Sequence, residues 1–257
     1  MPRPDFLDLP ARSRKPRTAG LTHVLDKGLP LADVRSLLGV CAPYVDVWKL
    51  GWGVAYLDPD VAAKVALLRD AGVLACTGGT LLELAWVQGR AADFLAWAAD
   101  CGFPCVEVSN GTVEMPADDK RALVETAAER FTVLAEVGSK DPDAAVSPED
   151  WVRQAKADLA AGATWVVTEG REGGQVGLYD PDGRIRTEVV AALTAEIGVD
   201  RLIFEAPRRE QQVWLLRAFG PEVSLGNIPA GEVLGLETLR LGMRADTLVD
   251  PRPDRSR

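Results

Sequence analysis

The sequence predicts a single α/β domain, a (β/α)8 TIM barrel, on three observations. Eight short apolar runs rich in β-branched residues alternate with longer segments of helical period. The alternation is strict, which calls for parallel strands joined by helical crossovers. The chain has 257 residues, 47% of them hydrophobic, about the size at which one such barrel closes its core. An open doubly wound sheet is the runner-up.

The strand-like runs begin near Leu21 (LTHVLD), Val45 (VDVWKLG), Val73 (VLACTGG), Cys105 (CVEVSNG), Val133 (VLAEVGSK), Trp165 (WVVTEG), Leu202 (LIFEAP) and Val223 (VSLGNI). Between them lie helix signals. Asp58-Pro59 opens a helix that Gly72 closes; Ser147-Pro148, with Asp150 behind, opens one that closes at Gly162. Trp86, Trp97, Trp151 and Trp214 fall in helical segments and read as core or subunit-contact residues. No repeat or linker divides the chain, and residues 1–17 and 249–257 read as short flexible arms.

Composition narrows the function. No run approaches the roughly 20 apolar residues of a membrane helix, and the basic start lacks an apolar signal region. A soluble, cytoplasmic protein is expected, with no membrane partner. A formal net charge of -9 leaves no basic footprint for nucleic acid. The four cysteines, Cys41, Cys76, Cys101 and Cys105, read as reduced, buried thiols, because the close pair lacks further ligands for zinc.

The chemistry shows in where charges interrupt the strands. Glu107, Glu136, Glu169 and Glu205 each fall near the carboxyl end of an apolar run, with neighbours that suit the helix-facing side. Alternation then points the glutamates into the barrel mouth, and Asp26 and Lys49 fit the same parity. His23, on the parity opposite Asp26, is expected to pack outward. Buried unpaired carboxylates are costly, so a cluster at the face where barrel enzymes work reads as an active site. A structural ion-pair network is the alternative. Convergent carboxylates without histidine or thiolate suit a hard divalent ion such as magnesium (Mg2+), with Glu107, Glu136, Glu169 and Glu205 as candidate ligands. Lys49, Lys140 and Arg171 could meet a substrate carboxylate or phosphate. The turns at Gly51–Gly53, Thr77–Thr80 and Arg171–Gly174 bring backbone amides to the strand ends. Arg240 and Arg244, four apart on one helical face, are either exposed or phosphate contacts after the eighth strand.

These strings carry a resemblance. VLDKG (Val24 to Gly28), KLGWG (Lys49 to Gly53), GGTLLELA (Gly78 to Ala85), VEVSNG, EVGSK, TEGRE, FEAPRREQQVW (Phe204 to Trp214), LGNI (Leu225 to Ile228) and ETLRLGMRADT (Glu237 to Thr247) run in order over residues 15–248. With them the sequence resembles the phosphosulfolactate synthase family, which joins sulfite to phosphoenolpyruvate in the first step of one route to coenzyme M. The resemblance implies a magnesium-dependent (β/α)8 barrel whose essential lysine is Lys140. It places substrate contacts among Asp26, Lys27, Gly78, Gly79, Ser109, Asn227, Arg240 and Arg244. Thr77 stands where archaeal members have proline, and Ser139 where they have a second lysine.

The implied reaction adds sulfite to the methylene carbon and moves charge into the carboxylate as an aci-carboxylate, stabilised by magnesium on the glutamates. Lys140 would then protonate the neighbouring carbon, with Glu136 beside it, while Lys49 and Arg171 clamp the anions. Two other readings stay open: a different nucleophile, such as a thiol or phosphite, and a noncatalytic, stress-associated barrel. A homo-oligomer is expected, with a trimer as one option.

Overall fold

Each of the eight predicted runs is a strand: β1 (Thr22–Asp26), β2 (Val47–Leu50), β3 (Leu74–Thr77), β4 (Cys105–Val108), β5 (Thr132–Val137), β6 (Trp165–Thr168), β7 (Leu202–Glu205) and β8 (Ser224–Pro229). The structure, a computed structural model, describes residues 6–139 and 146–248. All strands run parallel and close into a barrel in chain order, β8 returning to β1. The chain passes around the outside through α1 (Leu31–Cys41), α2 (Val54–Leu57), α3 (Val61–Asp70), α4 (Gly79–Val87) and α5 (Ala91–Asp100). It continues through α6 (Ala117–Ala128), α7 (Pro148–Ala160), α8 (Thr187–Ile197), α9 (Arg209–Phe219) and α10 (Val233–Arg240).

Local signals set the helix ends. Ser147 Oγ accepts the Asp150 N–H at 3.1 Å and Pro148 occupies the first turn, so α7 begins where the sequence places it. Gly72 ends α3 with a left-handed φ of 66°, which lets its N–H reach the Arg69 carbonyl at 2.8 Å. The tryptophans divide by depth: Trp151 is fully buried between sheet and helices, whereas Trp214 keeps 37% of its surface exposed.

Side-chain alternation splits the core in two. Outward residues such as Val24, Trp48, Val106, Val133 and Phe204 pack under the helices. Inside, Leu21, Val47, Cys76, Cys105, Leu134, Val167 and Ile203 form an apolar floor. Two residues further along β2, β4, β5, β6 and β7 come Lys49, Glu107, Glu136, Glu169 and Glu205, all buried. The same alternation that builds the floor therefore lifts a charged layer directly above it.

Strand β1 corrects the sequence reading. His23 pairs in register with Val47 and Leu25 with Lys49, so His23 points inward, while Asp26, level with Leu50, faces the helices. Apolar residues on both parities of β1 hide this, and the outward carboxylate is accommodated by Trp48 and by the buried Lys64 of α3. The N-terminal arm, described from residue 6, carries no helix or strand yet is tied down. Arg12 pairs with Glu222 and Glu237, and Arg17 with Asp46, at the amino-terminal end of the barrel. Residues 249–257 lie outside the described residues. Among the described residues no helix is long and apolar enough to cross a membrane. The cysteines are free; Cys101 is half-buried rather than buried, and burial pushes the Cys41, Cys76 and Cys101 thiols up.

Candidate active site

The charged layer converges on one point. Single carboxylate oxygens of Glu107, Glu136 and Glu205, from β4, β5 and β7, lie within 4.8 Å of one another. Lys49 Nζ, from β2, donates to Glu107 Oε2 at 2.9 Å and to Glu205 Oε1 at 3.1 Å. The second oxygens of these two carboxylates accept backbone amides, Gly79 N–H at 2.9 Å and Gly170 N–H at 2.8 Å. Gly79 opens α4, so Glu107 meets the positive end of a helix. Only glycine fits there: a Cβ on Gly79 would come within 2.3 Å of Ser109 Oγ.

Burial sets the charge state of each group. It raises the pKa of Glu107, and it pushes Glu205 up to about 7 against the pull of Lys49, with Glu136 and Glu107 adding to the rise. Burial would lower Lys49, but Glu107, Glu205 and Glu136 outweigh it and hold Lys49 well above the usual lysine value. Lys49 is therefore a fixed ammonium. Three buried carboxylates face one ammonium at the base of a cavity in the barrel mouth, leaving an excess of negative charge. The residues fit a metal ion: Glu107, Glu136 and Glu205 could hold one, and an all-oxygen donor set suits a hard divalent ion.

Above this cluster lies a polar cavity of about 270 Å3, lined by the four glutamates, Lys49, Gly78, Gly79, Trp52 and Arg171 among others. A larger cavity of about 650 Å3 opens beside it at the ends of β1 and β8. Leu25, Glu172 and Asn227 line both.

The structure sorts the remaining candidates. Glu169 is buried at the cavity wall, where its Oε1 accepts the Arg171 N–H at 2.7 Å, but it is not in the metal-holding trio. Arg171 sits exposed on the rim. Lys27 lines the larger cavity with its ammonium 5.8 Å from the Trp52 ring centre. Lys140 lies outside the described residues.

Four candidates are corrected. Asp26 does not face the cavities; it accepts the Gly28 and Leu29 amides at 2.8 and 2.7 Å and the Trp48 indole N–H at 3.0 Å, fixing the turn after β1. Ser109 donates its hydroxyl to Glu83 of α4, whose other oxygen accepts the Thr112 and Val113 amides, so it braces the β4–α6 connection. Arg240 donates to the Val223 and Leu21 carbonyls at 2.7 and 3.1 Å, pinning α10 across the seam between β8 and β1. A helix that follows a barrel strand runs back towards the strand's start, so the last turn of α10 cannot reach the mouth. Arg244, beyond it, lines neither cavity.

Trp52 is a residue the sequence reading passed over, and His23 one that it placed outward. The string GWG marks the first, since a tryptophan between glycines at a strand end needs a reason to be there. His23 is fully buried inside the barrel, and burial together with the Lys49 charge lowers its pKa well below the usual value, keeping the ring neutral.

Comparison with known proteins gives the family. Residues 10–246 match the family described as (2R)-phospho-3-sulfolactate synthase (ComA). A phosphosulfolactate synthase of Methanothermobacter thermautotrophicus is 46% identical over 250 residues, 95% of this chain and 96% of that protein. One from Bacillus subtilis is 38% identical over 95% of this chain and 98% of its own length. Another, from Methanocaldococcus jannaschii, is 40% identical over 89% and 93% respectively. Among solved structures a 3-hexulose-6-phosphate synthase superposes with a TM-score of 0.56 at 17% identity, covering 85% of this chain and 98% of that one. At that identity the likeness is one of fold.

Proposed function

Because the chain belongs to the phosphosulfolactate synthase family, we propose that it adds sulfite to phosphoenolpyruvate in the cytoplasm. The product is (2R)-2-phospho-3-sulfolactate. One observation carries the reading: a fixed ammonium, Lys49, set among three buried carboxylates at the mouth of the barrel. A passive scaffold gains nothing by burying that charge.

The sulfite sulfur lone pair forms the bond to the methylene carbon, and the double-bond pair moves towards the carboxylate as an aci-carboxylate. Magnesium held by Glu107, Glu136 and Glu205 would supply positive charge opposite that carboxylate. Lys49 adds a second, permanent positive charge and orients two of the glutamates. It is too strongly held as an ammonium to give up a proton. We assign protonation of the adjacent carbon to Lys140, the residue that the family resemblance implies. Arg171, on the rim, binds an outer anionic group of the reactants, with its backbone held by Glu169. The phosphate ester stays intact, so no water need be activated.

The purified protein is incubated with phosphoenolpyruvate, magnesium and sulfite, with thiols and phosphite in parallel, and phosphorus NMR follows the products. A sulfite-dependent phosphate ester without free phosphate is expected. Reaction with another nucleophile alone would replace sulfite in the scheme, and no consumption at all would leave a noncatalytic barrel. Lys140→Arg and Lys140→Ala should both lose about 10²-fold or more in turnover, since a guanidinium is not a usable acid. Near-normal turnover in the arginine variant would reduce Lys140 to an electrostatic role.

A further inference from the structure

Among the described residues three that are not glycine hold a left-handed backbone: Trp52 (φ 49°), Arg171 (φ 52°) and Asn227 (φ 54°). All three line the polar cavity. Such conformations are costly for a residue with a Cβ and persist where the surroundings impose them. Glycines flank Trp52, and Glu169 Oε1 accepts the Arg171 N–H.

Asn227 is held differently. Its backbone N–H donates to His23 Nδ1 at 3.4 Å, from a ring buried inside the barrel. The preceding Gly226 makes room for that ring, since a Cβ there would lie 2.9 Å from Nδ1. An accepting Nδ1 places the ring hydrogen on Nε2. Asn227 is only 4% exposed, its side-chain oxygen has no hydrogen-bond partner, and it sits where the two cavities meet. The orphaned oxygen is an acceptor; the same amide's NH2 is the donor through which the side chain can meet an anion at that junction.

We propose that His23 is a positioning residue: by accepting the Asn227 N–H it fixes the left-handed turn that aims the Asn227 amide at the junction of the cavities. There the amide NH2 donates to an anionic oxygen of the three-carbon acceptor. The identity of that acceptor rests on the functional reading above. The contact itself rests on the geometry.

Calorimetric titration of phosphoenolpyruvate into the magnesium-loaded protein, without sulfite, tests this apart from turnover, with circular dichroism as the folding check. His23→Leu, which removes the acceptor, should weaken binding about tenfold. His23→Asn, whose side-chain oxygen can take the place of Nδ1, should stay within about threefold of wild type. Asn227→Gly keeps the turn but loses the amide, and should weaken binding about tenfold. The double variant His23→Leu with Asn227→Gly should bind no more weakly than Asn227→Gly alone. Unchanged binding in a folded His23→Leu protein, or losses that multiply in the double variant, would overturn the proposal. Should His23→Leu fail to fold, His23→Asn decides, and a tenfold loss there overturns it. A wild type that binds phosphoenolpyruvate but does not consume it with sulfite fails the functional reading alone; one that binds none fails both.

Discussion

Lys49 Nζ reaches Glu107 Oε2 at 2.9 Å across the barrel interior, so β2 and β4, which do not pair with each other, are joined by charge. Lys49→Met keeps much of the volume and removes the ammonium. We expect turnover to fall about 10²-fold or more, the usual worth of a preorganised charge in a water-excluded site. Steady-state kinetics on folded protein checks this, and turnover within a few-fold of wild type would make the ion pair purely structural.

The glutamates should separate into two kinds. Glu136→Gln, in the trio, should weaken magnesium binding by about tenfold or more, because an amide oxygen replaces a charged ligand. Glu169→Leu, which removes the acceptor of the Arg171 N–H, should leave the magnesium affinity near normal and raise the Michaelis constant, since Glu169 holds Arg171 rather than the ion. Activity should vanish with a chelator and return with magnesium or manganese but not with zinc alone. Equal metal affinities in the two variants, or full activity after exhaustive chelation, would count against this division.

A pH dependence follows from Glu205, which burial pushes up to about 7. Its charged form is disfavoured in the protein alone and favoured by a bound cation, so metal binding expels its proton. Below pH 7 the apparent magnesium affinity should fall by up to about tenfold per pH unit, and above it the affinity should level off. Calorimetry in buffers of different ionisation enthalpy should detect proton release near pH 6.5 and little at pH 8.5. A flat affinity profile across that range would contradict it.

Asp26→Asn tests the reassignment of β1. Asp26 accepts four hydrogen bonds, the longest at 3.5 Å from the buried Lys64, which keeps Asp58 at 2.6 Å. Because the lysine retains one partner, we expect a loss of about 1–3 kcal/mol in stability rather than collapse. Chemical denaturation measures it. The folded variant should keep its Michaelis constants, and a large rise there would return Asp26 to the substrate.

Which parts of the site were legible in the sequence depends on how cleanly each strand alternates. Leu134 and Glu136, or Ile203 and Glu205, show an apolar residue two positions before a carboxylate, and that spacing places the second above the first. The run entering and forming β1 has Leu21, Val24 and Leu25 on both parities, so a charge at Asp26 could be assigned to either face, and only the register with β2 decides. Arg240 and Arg244 have helical spacing in the sequence, but α10 ends at Arg240, so no helical face joins them, and spacing alone does not tell which end of the barrel Arg240 approaches. The left-handed turns at Trp52 and Asn227 leave a local mark, glycines around Trp52 and an asparagine after Gly226, but that mark does not say what the side chains then face.

The apolar floor beneath the carboxylates has an electrostatic consequence. Seated on a base that polarises little, the field of the charged layer leaves chiefly through the mouth, where arriving solutes meet it. With a net charge of -9 on the whole chain and carboxylates outnumbering Lys49 at the cluster, that field turns anions away from the bare protein and draws cations in. For the reaction proposed above we expect the cation to bind before the anion, and raising ionic strength should quicken anion binding to the bare barrel, which stopped-flow mixing would measure.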